Sequence, residues 1–274
     1  MTYFGFLLRF VGIPLVILAV LTWLDARQGR KLPPSLSQLP AWLLVVGLMI
    51  AAVVWTTPWD NYLVATGVWY YDPNLVSGIV VGWVPIEEYT FFVLQPLLTG
   101  LWVLWLGRYT RPAAWPPVKR PLFNRVATGV IALIWLASVA LLLSGWKPGT
   151  YFGLQFGWLL LPIIPQTLLG ADVLWHQRRV VIPGVVVPWL YLSAADFLAI
   201  SSGTWTIDPA QSTGILLGGV LPIEESAFFL VTNMLIVFGL VLFLGTDNET
   251  VKGWVGRLLG SKETRKQGDK ATRE

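Results

Sequence analysis

The sequence predicts an all-α polytopic membrane protein with seven transmembrane helices, arranged as two parallel three-helix repeats joined by an extra helix. Three observations predict this fold class: the composition, the number of long apolar stretches and an internal repeat in which acidic residues occupy matching positions. Hydrophobic residues make up 55% of the 274-residue chain, and charged residues make up only 12%. A soluble domain carries about 25% charged residues because its surface faces water. Most of the surface of this chain must therefore face lipid.

Seven stretches are long enough to cross a bilayer, since a spanning helix needs about 20 mostly apolar residues. They are residues 3–24, 40–57, 84–106, 124–143, 151–175, 182–200 and 220–244. The first stretch has no basic leader and no small-residue cleavage site, so we expect a membrane span and not a secretory signal peptide.

The basic residues predict how the chain is oriented in the cell membrane. With seven spans, 17 of the 19 Lys and Arg residues lie on one side. Cytoplasmic loops carry the excess of basic residues, so we expect the amino terminus outside and the carboxyl terminus in the cytoplasm. The net charge of +4 then reflects topology and attraction to anionic lipid heads, and no nucleic-acid partner is expected. Residues 247–274 mix both signs of charge and are expected to form a fraying cytoplasmic tail.

The counts of two residue types narrow the chemistry. The chain has no Cys, which excludes thiolate metal sites and cysteine nucleophiles. It has one His, His176, so a histidine-built metal centre is nearly excluded as well. We expect neither a metal nor a cofactor.

An internal repeat relates residues 60–92 to residues 196–229. Eight of the nine carboxylates left after setting aside Asp25 and the tail occupy matched positions in it. The matched acids are Asp60 with Asp196, Asp72 with Asp208, Glu87 with Glu224 and Glu88 with Glu225. Corresponding spans are four apart, an even number, so both units run the same way through the bilayer. We expect a first unit at 1–107, a linker with the fourth span at 108–146 and a second unit at 147–246.

The motif Pro-Ile-Glu-Glu begins the third and seventh spans. One copy would be an ordinary helix start, because Pro and carboxylates both suit a first helical turn. Two copies, with no Lys or Arg in either span to neutralise them, indicate function instead. Adjacent carboxylates beside hydrocarbon repel each other and resist ionisation, so at least one of each pair should hold a proton. The predicted catalytic residues are Glu87, Glu88, Glu224 and Glu225.

Aromatic rings follow both pairs at helical spacing. Residues four apart share a face, so Phe91 should stand below Glu87 and Phe92 below Glu88. Acid can make a carbocation from an alkene, and ring faces stabilise cations. The predicted substrate-binding residues are Phe91, Phe92, Phe228, Phe229, Asp60, Asp196, Trp69, Trp205 and Gln95, with Trp83 as a further candidate for the lining. Two alternatives stay open: lipid contact for each aromatic, and helix capping for Asp60 and Asp196 at the ends of the second and sixth spans.

The chain also resembles a known family. The run Pro-Trp-Asp-Asn-Tyr at 58–62, then Trp69, Tyr71-Asp72 and Pro-Ile-Glu-Glu-x-x-Phe-Phe-x-x-Gln95, is similar to the integral-membrane lycopene cyclases, in the fused form of their two small subunits. The resemblance implies a lycopene β-cyclase, in which the Glu acids protonate the linear end group of lycopene without a cofactor and the resulting cation closes a ring. The second unit lacks a counterpart of Gln95, so whether both units are catalytic stays open, as does the identity of the donor Glu.

The main alternative is a proton-coupled transporter whose paired Glu residues relay protons at the repeat interface. The position of the acids near the outer boundary, and the scarcity of other polar residues in the spans, argue against it. The partners that we expect are lycopene or a related linear carotenoid, and membrane lipid. The sequence indicates no oligomeric state.

Overall fold

A computed structural model describes residues 1–110 and 118–245. The predicted tail at 247–274 lies outside these described residues. The described chain is mostly helical, with three pairs of short strands. The helices are α1 (Tyr3–Phe6), α2 (Ile13–Arg27), α3 (Ala41–Ala65), α4 (Ile86–Tyr109), α5 (Pro121–Leu143), α6 (Thr150–Leu159), α7 (Ile163–His176), α8 (Arg178–Ser201) and α9 (Ile223–Leu244). A π-helical turn, Leu7–Gly12, joins α1 to α2, and short 3-10 turns cover Pro34–Leu36 and Lys147–Gly149.

The number of membrane spans agrees with the prediction when one broken span is counted. Within the described residues, six helical segments can cross a membrane by length and composition: Tyr3–Arg27, Pro34–Ala65, Ile86–Tyr109, Pro121–Leu143, Arg178–Ser201 and Ile223–Leu244. The predicted fifth span is instead two helices, Lys147–Leu159 and Ile163–His176, which meet at 60°. Pro162 stands at the break, where the missing N–H of proline is tolerated because a new helix begins there. The chain is a multi-pass membrane protein.

Helix α3 is longer than the sequence predicted. It continues from residue 57 through Pro58 to Ala65, so Asp60 lies inside the helix. Two side chains bond to helix carbonyls on either side of Pro58: the Thr57 hydroxyl donates to the carbonyl of Val53 (2.6 Å), and Asn61 Nδ2 donates to that of Thr57 (2.9 Å). In the same way, α8 extends past Asp196 to Ser201. The interpretation of these two acids as caps at span ends was therefore wrong.

Short strands connect the two predicted units. Strand β1 (Trp69–Tyr71) pairs antiparallel with β4 (Trp205–Ile207), with Tyr70 opposite Thr206. The other strands form two hairpins, β2 (Val80–Val81) with β3 (Val84–Pro85), and β5 (Leu216–Leu217) with β6 (Leu221–Pro222). The backbone N–H of Asp208 donates to the carbonyl of Val68 at 2.8 Å, which extends the β1–β4 junction. This junction brings the starts of α4 and α9 to one end of the molecule.

Each predicted unit contains the same order of elements: helix, strand, hairpin, helix. The parallel repeat and the domain boundaries themselves stay predictions. Helices α4 and α9, which begin with the two Glu pairs, are the most enclosed spans together with α8. A buried polar cluster joins α4 to α9, because the Thr99 hydroxyl and Gln95 Nε2 both donate to Asn233 Oδ1, at 2.6 and 3.2 Å. Hydrogen bonds of this kind stabilise helix packing in a membrane, where the hydrophobic effect does not drive helices to associate.

Candidate active site

A chamber of about 30 Å³ lies at the amino-terminal ends of α4 and α9. Three carboxyl groups line it: those of Glu88, Asp196 and Glu225. The rest of its wall is aromatic and consists of Tyr3, Phe6, Trp69, Tyr71, Phe91, Trp205, Phe228 and Phe229. The acids of both predicted units thus meet in one chamber, and no Lys or Arg among the described residues lines it.

The first Glu of each pair points away from the chamber, into the loop before its helix. Glu87 Oε1 accepts the backbone N–H of Ser77 at 2.5 Å. Glu224 Oε1 accepts both the backbone N–H and the hydroxyl of Thr213, each at 2.7 Å. Both Glu side chains are fully buried. Their geometry is that of a clamp on the preceding loop.

The second Glu of each pair faces the chamber and accepts hydrogen bonds from tyrosines. Glu88 Oε2 accepts from the hydroxyl of Tyr3 and, at 3.0 Å, from that of Tyr71. Glu225 Oε1 accepts from the hydroxyl of Tyr151 at 2.6 Å. The phenol groups fix the rotamers of both carboxyls without supplying a positive charge.

Tyr71 lies in β1, outside the membrane spans. Burial, and then the charge of Glu88, raise the pKa of Tyr71 well above its ordinary value. A raised pKa favours the neutral phenol, so Tyr71 remains a hydrogen-bond donor to Glu88 throughout the physiological pH range.

Two aspartates add to the acidity of the site. Asp196 Oδ1 accepts the indole N–H of Trp205 at 2.9 Å. Asp60 is fully buried, and neither of its carboxyl oxygens has a hydrogen-bond partner among the described residues. Each aspartate interacts electrostatically with both Glu88 and Glu225. Asp60, Asp196, Glu88 and Glu225 therefore form one coupled set, although Asp60 does not itself line the chamber.

Most of the predicted aromatic residues line the chamber: Trp69, Phe91, Phe228 and Phe229 are buried, and Trp205 is half-buried. Phe229 contacts Phe228 edge-on at 5.3 Å between ring centroids and Phe91 at 6.2 Å. The ring of Trp69 meets that of Tyr151 edge-on at 5.5 Å. The alternative of lipid contact is therefore wrong for these rings. Trp83 is different: 66% of it is exposed, and it does not line the chamber.

Phe92 and Gln95 lie elsewhere than the sequence predicted. The ring that shares the chamber with Glu88 is Phe91, three residues further on, and not Phe92, four residues on. Phe92 and Gln95 line a second, larger cavity of about 640 Å³ instead. Phe91 and Phe228 line both spaces.

The tyrosines were not among the predicted site residues. Tyr3 and Tyr151 each donate to the second Glu of their own unit, and a signal for this existed, because they are the first residues of the predicted spans 3–24 and 151–175. The backbone N–H of Tyr3 donates to the carbonyl of Leu75, and that of Tyr151 donates to the carbonyl of Gln211. Residues 1–110 and 118–245 hold no cluster of three or more His, Asp or Glu placed to bind a metal ion.

The chain is similar to proteins of known activity over most of its length. It is 40% identical over 248 residues to a lycopene beta-cyclase of Halobacterium salinarum, a match that covers 88% of this chain and 95% of that protein. It is 33% identical over 208 residues to a bifunctional lycopene cyclase/phytoene synthase of Podospora anserina, which covers 73% of this chain and 35% of that longer protein. A protein of the same name from Sporisorium reilianum is 38% identical over 214 residues. No protein-family model matches the chain, and no solved structure matches it.

Proposed function

This chain belongs to the lycopene beta-cyclase family, and on that premise we propose that it closes rings at the ends of lycopene, or of a related linear carotenoid, by acid catalysis within the membrane. It is a cyclising enzyme of the isomerase or intramolecular lyase type. The observation that carries the mechanism is the chamber, in which Glu88 and Glu225 meet among aromatic rings.

One chamber carboxyl donates a proton and another accepts one. A protonated Glu88 or Glu225 adds its proton to the terminal alkene of the end group, which leaves a tertiary cation. An internal alkene attacks that cation and forms the ring bond. A chamber carboxylate then removes a proton from a ring carbon, and the double bond of the cyclohexene forms. The product is an isomer of the substrate, no electrons are exchanged, and the acid regains its proton from the coupled set of carboxyl groups.

The surroundings of the two acids suit a proton donor. Burying an ionised carboxylate without a cation is costly. The groups that hydrogen-bond to Glu88 and Glu225 are tyrosine hydroxyls and, at Glu225, the carboxyl of Asp196, and none of these is a cation. Several carboxyl groups that share one small chamber also disfavour one another's ionisation. A protonated acid next to an alkene is the arrangement that this reaction requires.

The aromatic rings stabilise the cation before it loses its proton. A ring face attracts a cation by about 0.5 to 2 kcal/mol, and more when water is absent. Phe91, Phe228 and Phe229 stand next to the acids, and the indole of Trp69 completes the wall. The three Phe rings carry no lone pair that could trap the cation covalently.

The four glutamates have two roles in this proposal. Glu88 and Glu225 act on the substrate. Glu87 and Glu224 are positioning residues, because each holds the loop before its helix and so sets the start of α4 or α9. One shared chamber also implies one catalytic centre built by both units, in place of two independent ones.

Membership in a family of cyclases favours an enzyme over the proton-coupled transporter. Expression in a lycopene-accumulating bacterium, followed by pigment chromatography, tests the proposal. We expect lycopene to be replaced by cyclised carotenoids with β rings, identified against β-ring and ε-ring standards, and we expect unchanged lycopene with the double variant E88Q/E225Q. Lycopene that persists while the wild-type protein is present in the membrane would refute it.

A further inference from the structure

The chamber is too small for the substrate that the proposed function assigns to it. Its volume of about 30 Å³ is roughly a tenth of the smallest volume, about 300 Å³, that ligand pockets ordinarily have. The end group of a linear carotenoid must fold into a six-membered ring with methyl substituents, which needs several times that space. The end group must therefore reach the acids by displacing part of the chamber wall.

The larger cavity adjoins that wall. It is a groove of about 640 Å³ lined by parts of α3, α4, α7 and α9 and by the break between α6 and α7. Its lining is predominantly apolar and includes Ala51, Ala52, Leu159, Leu235 and Ile236. The volume falls in the range of about 300 to 1,000 Å³ that ligand pockets occupy.

The groove opens sideways towards lipid. Ala51 and Val54, both on α3, line it and are exposed. In a membrane-spanning helix such side chains face hydrocarbon. A molecule dissolved in the bilayer can thus enter the groove without passing through water.

Two rings separate the groove from the chamber. Phe91 and Phe228 are the residues that line both spaces, and each is at most 6% exposed. Rotation of these side chains would join the two volumes. The rings therefore stand where a gate is needed.

We propose that the groove binds the polyene chain of the substrate, that it is the lateral access route from the bilayer, and that Phe91 and Phe228 gate the passage of the end group to the acids. This inference rests on the proposed function. A hydrocarbon chain has no polar handle, so apolar surface is the only means of holding it, and burial contributes roughly 25 cal/mol per Å² of apolar area.

The length of the groove limits how much of the substrate it holds. Along α9 the lining runs from Phe228 to Ile236, which is about 12 Å at 1.5 Å per residue. This length accommodates the polyene next to one end group and leaves the rest of the chain in lipid. The groove consequently presents one end of the substrate to the acids at a time.

The test is to fill the groove at its lipid-facing side. Ala51→Phe adds a ring at an exposed position, so it does not overpack a core. Ala137→Phe, at an exposed position on α5 outside the groove, is the matched control. We expect Ala51→Phe to raise the KM for lycopene in vesicles at least tenfold with little change in kcat, and to weaken quenching of tryptophan fluorescence by bound lycopene to the same extent. Ala137→Phe should match the wild type in both measurements.

The outcomes separate the two proposals. If the wild-type protein cyclises lycopene and Ala51→Phe has the KM and the quenching of the wild type, the groove is not the binding site, although the proposed function stands. If the wild type does not cyclise lycopene at all, the proposed function itself fails. If Ala51→Phe melts well below the wild type, the smaller substitution Ala51→Leu replaces it in the test. We expect Ala51→Leu to raise the KM for lycopene about threefold or more. An unchanged KM in that variant also overturns the inference.

Discussion

At the scale of single residues, the site depends on the different directions in which the two adjacent Glu side chains of each pair point. Adjacent residues of a helix point about 100° apart, so Glu87 and Glu88 cannot share an environment. The start of α4 turns Glu87 towards the loop at Ser77 and Glu88 towards Tyr3 and Tyr71. The start of α9 does the same with Glu224 and Glu225. Chemically identical neighbours therefore have different surroundings.

Neutralising the chamber acids should therefore cost much more activity than neutralising the clamps. We expect Glu88→Gln and Glu225→Gln to lower the rate of ring formation in isolated membranes by roughly 10² to 10⁴, the usual contribution of a general acid or base. Glu87→Gln keeps an oxygen that accepts the N–H of Ser77. We expect the rate of ring formation in this variant to fall by less than about tenfold, which corresponds to the free energy of a single hydrogen bond. Equal loss in Glu87→Gln and Glu88→Gln, with both proteins folded, would contradict this division of roles.

The tyrosines that contact the acids should matter for catalysis without being essential to the fold. Tyr3→Phe removes the hydroxyl that donates to Glu88 and keeps the ring. We expect about a tenfold fall in kcat, which corresponds to about 1.4 kcal/mol, together with a shift of the pH profile, because Glu88 loses a neutral donor. Tyr62→Phe, at a position that is 54% exposed, is the control and should leave both unchanged. If the Tyr3→Phe enzyme has the wild-type kcat and pH profile, the Tyr3 hydroxyl does not contribute to catalysis.

At the scale of elements, Asn61 connects three of them at the first Glu pair. Its Oδ1 accepts the backbone N–H of Trp83 in the β2–β3 turn at 2.7 Å. Its Nδ2 donates to the hydroxyl of Tyr89 on α4 and to the carbonyl of Thr57 on α3, both at 2.9 Å. The side chain thus holds the hairpin and α4 against the part of α3 that follows Pro58.

Removal of this side chain should loosen the junction as a whole. We expect Asn61→Ala to destabilise the protein by roughly 1 to 3 kcal/mol, because several hydrogen bonds disappear and buried polar groups lose their partners. The measurement is the melting temperature of the detergent-solubilised protein. Asn74→Ala, at an exposed turn position where the amide contacts only Asp72, is the control, and a melting temperature for Asn61→Ala equal to that of Asn74→Ala would show that the junction does not depend on Asn61.

At the scale of the whole molecule, the chamber belongs to one end of the bundle. The starts of α4 and α9, the β1–β4 pair and both hairpins lie together there. The distribution of basic residues predicts that this end faces the outside of the cell. The acids would then lie near the outer boundary of the bilayer, at the depth where an end group of a carotenoid that crosses the membrane is found.

The orientation can be measured directly because the chain has no native Cys. Ser144→Cys and Gln28→Cys each place one thiol at an exposed position, in loops predicted to lie on opposite sides. We expect a membrane-impermeant maleimide to label Ser144→Cys in intact cells and Gln28→Cys only after permeabilisation. The reverse pattern would invert the predicted topology and place the chamber at the cytoplasmic face.

Much of the candidate site was predictable from the sequence because its residues occur in both copies of the internal repeat. The paired acids, the Phe pairs and the two Trp residues stood out by repetition, and most of them line the chamber. Tyr3 and Tyr151 were not predicted as site residues, because a single tyrosine at the start of a span is an ordinary interfacial residue. Asp60 was placed at the end of the second span, but α3 continues through Pro58 to Ala65 and encloses it.

The sequence by itself determined the class of protein, the apolar stretches that form its spans and the acids that carry the candidate chemistry, because composition and periodicity are properties of the chain alone. The tertiary structure decided which Glu of each pair faces the chamber, that acids of both predicted units line one chamber, and that an apolar groove lies next to it. These are matters of helix rotation and of contacts between residues more than 60 positions apart. No local pattern fixes such contacts, since they exist only once the helices have packed.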